Sequence, residues 1–475
     1  MNCRKCWIPA ALALAAALSL PLVRSRAAST RDGSLESQIQ LAASYYNSGR
    51  FKEAAQVLES QLKHAPASFE AEELLGLVYS AESRDKDAYP HFAKAVRLKP
   101  DSAPARANLA VNLARLGKNE LAESEFKRAI RAEPGNFSAN HDLGEFYARS
   151  GRTKEAIPYL RRAQKAQPAS YGNGYDLALA YVEAGMWADA REQLQDLLKV
   201  RDAADLHDLL GEVEERSGNY LAAANEYQRA AHMDPSESNI FDWGSELLLH
   251  QTLNPAVEVF SEGAKRYPDS PRLAVGLGLA LYWNGRYDDA VKALLKATDL
   301  SPSDPRPYYF LSRAYQHSRG QADEVIYRFR RLAQLRPQDG RAAYYYAMSL
   351  WKGKQGSPSG PLLGQSEDLL KRATELEPTF AQAHLELANL YSQQHKYSES
   401  ASEYKRAIAL DPKLVDAYYR LGQAYVHLGQ ADLAKKEFQI HKQLYQQHLA
   451  EWDSEQQEIR NFVYTTQEDR GGARK

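Results

Sequence analysis

The sequence is almost without cysteine: Cys3 and Cys6 are the two in 475 residues, and both precede an apolar stretch near the N-terminus. Neither stands where a bacterial lipoprotein carries its lipidated cysteine, just after such a stretch. If the leader is removed the chain keeps no thiol, which excludes disulfides, thiolate metal sites and a cysteine nucleophile. Concentrated charge is missing as well. The 60 basic and 61 acidic residues are interspersed, and without a basic stripe nucleic acid is not an expected partner. The common signatures of catalysis are absent too: there is no HExxH, no GxSxG, no dinucleotide fingerprint and no phosphate loop. The stretch GKQG at Gly353 lacks the following Ser or Thr. The twelve histidines are scattered, and His441 and His448, seven apart on one helical face, would need further ligands to hold a metal. Pairs such as Glu212 and Glu215 are ordinary on solvated helices and nominate no acid and base. The expectation is a protein that is not an enzyme and has no cofactor and no metal.

Long apolar runs are confined to Trp7–Val23. Arg4 and Lys5 precede this run, and Ser25-Arg26-Ala27 follows it as a small-residue cleavage site. That order predicts an export signal cut after Ala27, and a periplasmic or secreted protein with no membrane span after cleavage. The alternative is an uncleaved N-terminal anchor, since 17 apolar residues reach the lower limit for spanning a bilayer. Removing residues 1–27 takes away four basic residues (Arg4, Lys5, Arg24, Arg26) and no acidic ones, so the net charge moves from −1 to −5.

What is abundant is self-similarity. Prolines recur at 66, 100, 134 and 168, each 34 residues after the last, and again at 235, 268, 302, 337, 378 and 412. Similar phrases precede them, such as DLGEFYARSGRTKEAIPYLRRAQKAQP, and RLGQAYVHLGQADLAKKEFQ repeats the pattern near the end. Proline cannot continue a helix and restricts the residue before it, so a helix should stop near each one. A 34-residue period carrying Leu-Gly or Leu-Ala at positions 7 and 8, Tyr at 11, Ala at 20, Phe at 24, Ala at 27 and Pro at 32 resembles the tetratricopeptide repeat.

The anchors place twelve repeats at about 35, 69, 103, 137, 171, 204, 237, 271, 305, 340, 381 and 415. The expected fold is all-α, a right-handed superhelical solenoid of helix-turn-helix units with a C-terminal capping helix. The expected organisation is a signal peptide (1–27), a linker (28–34), repeats 1 to 5 (35–204), repeats 6 to 12 (204–448), the capping helix (449–466) and a disordered tail (467–475). Small residues at position 8 (Gly76, Gly144, Gly278, Gly422) and position 20 (Ala54, Ala88, Ala122) should let paired helices approach, with Phe92, Phe126, Phe260 and Phe438 filling the space beyond. Three irregularities interrupt the pattern. Gly172 and Gly174 weaken the start of repeat 5, Glu214 replaces the position-11 aromatic in repeat 6, and a Gly/Ser/Pro-rich excursion follows Trp351 in repeat 10.

Positions 4, 7, 8 and 11 share one arc of a helix, and positions 2, 5, 9 and 12 the opposite arc. The resemblance implies that positions 2, 5, 6, 9, 12 and 13 of the first helices line a partner groove. In repeats 4 to 6 these positions hold Asp142, Glu145, Asp176, Asp205, Asp208 and Glu212, an acidic segment. In repeats 7 to 10 they hold Phe241, Tyr282, Trp283, Tyr309, Arg313, Arg341, Tyr344, Tyr345, Met348 and Trp351. Aromatic and arginine side chains are the usual anchors of protein interfaces. In RAAYYYAMSLW (Arg341–Trp351), Tyr346 at position 7 should be core, Tyr344, Met348 and Trp351 should face the groove, and Tyr345 stands at the border. The family's clamp for peptide C-termini is missing, because Glu73, Leu77, Leu385 and Asp416 occupy positions that would need lysine or asparagine. The expected function is a scaffold or adaptor that binds protein or extended peptide; the alternative is a glycan-handling scaffold for cell-envelope or exopolysaccharide assembly.

Overall fold

The computed structural model describes residues 30–318, 320–352 and 360–448. The expected signal peptide, capping helix and tail lie outside them. Among the described residues there are 24 helices and no strand, ordered as twelve consecutive helix pairs. The first helices of repeats 2 to 12 begin at Phe69, Ala103, Phe137, Tyr171, Ala204, Glu237, Pro271, Pro305, Gly340, Ala381 and Val415, and all but Ala204 follow a proline by two or three residues. Repeat 1 differs. Its first helix starts at Thr30, inside the expected linker.

Short polar residues start these helices. Ser68, Ser102, Asn136, Ser170, Ser236 and Ser270 each accept a hydrogen bond from the backbone N–H three residues on, and Asp304 caps Arg306 in the same way. Each cap satisfies an amide that the helix itself leaves open. The preceding helix end is satisfied from the same place. The fourth residue of the first helix reaches back six positions to the carbonyl of the helix-ending proline: Arg106 to Pro100 (2.6 Å), Asn140 to Pro134 (3.0 Å), Tyr308 to Pro302 (3.0 Å), His384 to Pro378 (3.2 Å) and Tyr418 to Pro412 (3.2 Å). Chemically different donors thus perform one local task.

The turn between paired helices needs one left-handed residue. Glycine supplies it at 49, 117, 151, 185, 218, 285 and 429, whereas Ser83, Gln251 and His395 adopt it with a side chain, at a steric cost that glycine avoids. Glycine at position 8 has another task, close approach. A Cβ on Gly76 would sit 2.7 Å from the Phe92 ring, one on Gly144 2.6 Å from Leu160, and one on Gly278 2.5 Å from Leu294. Phe260 is held between Gly244 and Gly276 in the same way.

The chain forms two compact units, one ending at Asn219 and the other starting at Tyr220. The boundary falls between the helices of repeat 6, Ala204–Arg216 and Tyr220–Met233. The core of the first unit runs from Ala42 to Val213. The second unit holds one cluster from Ile240 to Leu390 and a smaller one from Leu385 to Ala434.

The irregular repeats are ordinary helices. Repeat 5 begins at Tyr171 despite its two glycines, and Gly174 is required there because a Cβ would meet Leu197 at 2.7 Å. Glu214 keeps the link that the position-11 tyrosine makes elsewhere. Tyr147 donates to Glu123 of the preceding repeat (2.9 Å), and buried Glu214 instead receives Arg191 of the preceding repeat (2.8 Å), which holds its carboxyl below the usual range. In repeat 10 the second helix already begins at Gly360, so the latter half of the expected excursion is helical.

Candidate functional site

The second unit contains an open cavity of about 920 Å³ between the first helices of repeats 9 (Pro305–His317) and 10 (Gly340–Lys352). Register explains its walls. Arg306, Tyr309 and Phe310 occupy positions 2, 5 and 6 of repeat 9, and Arg341 and Tyr345 occupy positions 2 and 6 of repeat 10. The segment joining the two repeats adds Arg336, Pro337 and Asp339, and Glu377 arrives from the end of the Gly360–Leu376 helix.

Tyr309 and Phe310 meet edge to face at 5.0 Å, and Arg313 donates to the Tyr309 hydroxyl at 3.2 Å. Tyr345 is mostly buried, its ring 5.8 Å from Phe329, so it fills the floor of the cavity and not its rim. Burial raises the Tyr345 phenol above its ordinary value. The charged residues form three arginine–carboxylate pairs: Arg306 with Asp304 (2.9 Å), Arg336 with Asp339 (2.7 Å) and Arg341 with Glu377 (3.4 Å).

Not every residue expected in the groove is there. Tyr344 is buried, its ring 5.0 Å from Phe380 and its hydroxyl bonded to Gln382, and desolvation raises its phenol well above the ordinary value. Trp351 is buried too, and its indole donates to Gln393 at 2.7 Å. Both are covered by repeat 11. In repeat 10 the arc opposite the pair's own core turns toward the next first helix, so its positions 5 and 12 join a second core. Phe241 is wholly buried under Arg272, whose guanidinium lies 4.2 Å from the ring centroid. Met348 is half-buried. Tyr282 and Trp283 belong to a separate aromatic cluster with Tyr287 and His317, where Tyr282 lies 5.7 Å from Tyr287 and Tyr287 stacks on His317 at 4.8 Å. The expected stripe therefore resolves into one open cavity, one side cluster and several core contacts. Tyr346 is buried, as its register predicts, and its hydroxyl receives Arg330 (2.9 Å) and Gln365 (3.2 Å).

The acidic segment in the first unit is less charged than its composition implies. Asp142 and Asp176 are half-buried, and desolvation, with Glu145 adding repulsion, pushes their carboxyls up to about 8 and about 7. Glu145 lies 3.4 Å from Arg149, Asp205 accepts from the Tyr171 hydroxyl at 2.8 Å, Asp208 is half-buried and Glu212 is buried. Among the described residues no group of three or more His, Cys, Asp or Glu side chains is placed to hold a metal ion. No described helix is long and apolar enough to cross a membrane.

Arg306 was read from sequence only as a basic neighbour of the aromatic stripe, and Arg336, the prolines Pro305 and Pro337, and Glu377 were not among the candidates. The position-2 arginines of repeats 8, 9 and 10 (Arg272, Arg306, Arg341) were the available signal.

Comparison with known proteins agrees with this architecture. A curated relative, anaphase-promoting complex subunit 3 of Schizosaccharomyces pombe, is 24% identical over 200 residues, which are 42% of this chain and 29% of that protein. The match therefore spans less than a third of the relative. Among solved structures, PilW, described as a widely conserved type IV pilus biogenesis factor, is 25% identical over 42% of this chain and 94% of its own, with a TM-score of 0.38. YrrB, described as a TPR protein with an unusual peptide-binding site, is 18% identical over 39% of this chain and 96% of its own, with a TM-score of 0.34. Two further models described as TPR repeat and tetratricopeptide repeat match residues 388–429 and 416–447. One tetratricopeptide repeat model matches residues 39–103, 108–171, 175–238 and 253–305, just over half of the chain, and the chain belongs to the tetratricopeptide repeat family.

Proposed function

We propose that this protein is a non-enzymatic interaction scaffold whose second unit binds a protein or extended peptide at the cavity between repeats 9 and 10. The observation that carries this reading is the cavity itself. Its about 920 Å³ is walled by Tyr309, Phe310 and Tyr345 and edged by arginines, the residue types that dominate interface energetics, and its size is that of a ligand site. The test is affinity capture with the full chain from its native extract. Tyr309→Ala combined with Arg341→Glu should abolish capture of the principal partner while lowering the melting temperature by no more than a few degrees; undiminished capture contradicts the site. A signal on a glycan array with no captured protein would favour the glycan-handling alternative.

Export is part of the same reading, and it is supported by the basic, apolar and small-residue order of residues 4–27. N-terminal sequencing of the protein recovered from cells should begin at Ala28. A start at Met1 would favour the uncleaved anchor.

A further inference from the structure

We propose that the cavity between repeats 9 and 10 selects an extended segment with a large apolar or aromatic side chain beside an acidic one. The apolar side chain enters between Tyr309, Phe310 and Tyr345, and the acidic side chain docks on Arg341. This inference rests on the reading of the chain as a peptide-binding scaffold and adds the chemistry of what is bound.

The charge argument comes from how each ion pair is turned. In all three pairs the arginine is more exposed than its carboxylate: Arg341 63% against Glu377 32%, Arg336 41% against Asp339 15%, and Arg306 37% against Asp304 25%. The carboxylates are occupied by the fold. Asp339 accepts from the backbone N–H groups of Arg341 (3.0 Å) and Ala342 (3.2 Å), so it caps the first helix of repeat 10. Asp304 caps repeat 9 through the Arg306 N–H at 2.9 Å, and Glu377 also accepts from the Arg341 N–H at 3.3 Å. A ligand approaching the cavity therefore meets guanidinium groups, with the acids turned toward helix ends.

Arg341 is the anchor best placed for a ligand. Its closest contact with Glu377 is made through Nε at 3.4 Å, and its guanidinium carbon lies 5.5 Å from the Phe380 ring centroid. The closest approach of Glu377 is thus to Nε, and the Arg341 side chain is 63% exposed. A planar carboxylate can pair with such a guanidinium in two parallel hydrogen bonds. A lysine or arginine in the same place would face the more exposed guanidinium groups before the acids behind them. The apolar half of the recognition is set by volume and lining, since Pro305, Leu332, Pro337 and Ala342 complete the wall around the three rings.

The test uses selection from a random twelve-residue peptide library displayed on phage, with the peptide C-terminus fused so that no free terminal carboxylate is offered. The full chain is the bait, alongside Arg341→Glu and Tyr309→Ala variants that melt within a few degrees of wild type. Wild type should enrich peptides with Trp, Phe, Tyr or Leu next to Asp or Glu. Binding of those peptides should fall on the order of tenfold in Arg341→Glu, weaken with added salt, and fall again in Tyr309→Ala. Enrichment of basic peptides, or of acidic ones indifferent to both substitutions, overturns this ligand class while the scaffold reading stands. Recovery of no peptide, with full capture of a native protein by the same bait, overturns it equally. Failure of both selection and capture removes the scaffold reading as well.

Discussion

Position 6 of the first helix is Asp142 in repeat 4 and Asp176 in repeat 5, but Phe310 in repeat 9 and Tyr345 in repeat 10. The backbone slot is the same, at the seam between neighbouring first helices. In the first unit it holds half-buried carboxyls that desolvation, with Glu145 nearby, pushes up to about 8 and about 7. In the second it holds rings that do not fill their surroundings and leave a cavity of about 920 Å³. The difference teaches that the repeat register decides where a side chain is delivered, whereas its neighbours decide whether it is core, a buried acid or a site.

The largest expected effect separates buried rings from cavity rings. Tyr344→Ala and Trp351→Ala should each destabilise the second unit by about 3–5 kcal/mol, because each removes a buried aromatic together with its bond to Gln382 or Gln393. Tyr309→Ala should cost about 1 kcal/mol or less, since that ring is part-exposed. Chemical denaturation of the three variants checks this, and equal losses would erase the distinction between seam and cavity.

Next comes the acidic counterpart. Asp142 and Asp176 have folded-state carboxyls raised above their unfolded values, so the folded chain binds more protons than the unfolded chain between about pH 4 and pH 8. Stability from these groups is therefore lost as pH rises through that window. Asp142→Asn should raise stability at pH 8 by up to about 5 kcal/mol, with the gain vanishing toward pH 4. Melting curves at the two pH values test it, and a pH-independent gain would contradict the burial of Asp142. The smallest effect concerns the turns, which both units share. Ser83→Gly in the first unit and Gln251→Gly in the second should each stabilise by about 0.5–1 kcal/mol, measured by the same melts, because both residues hold left-handed backbone.

Much of the fold was legible because proline, glycine and small residues act locally. The spacing of the prolines placed ten first helices, and the contacts of Gly76 with Phe92 and of Gly144 with Leu160 follow from positions 8 and 24. The site was legible only in part. A helical wheel gives the direction of Tyr344 or Trp351 but not the reach of Phe380, Gln382 and Gln393 from the following repeat, which bury them. It also omits the residues between helices, so Arg336, Pro337 and Glu377 were invisible to a reading confined to first-helix positions. Composition likewise overstated the charge of the acidic segment, because desolvation depends on packing that a residue count does not contain.

The most direct test of the central claim is site-specific photocrosslinking in the full chain, with a photoreactive phenylalanine analogue placed at Tyr309 or, as the first-unit counterpart, at Glu145. Probes at both positions are exposed to the native extract. The account predicts a discrete protein crosslink from position 309 that is lost when Arg341→Glu is added, and no matching crosslink from position 145. Crosslinks to the same protein from position 145 alone, or a crosslink from 309 that ignores Arg341→Glu, would contradict it.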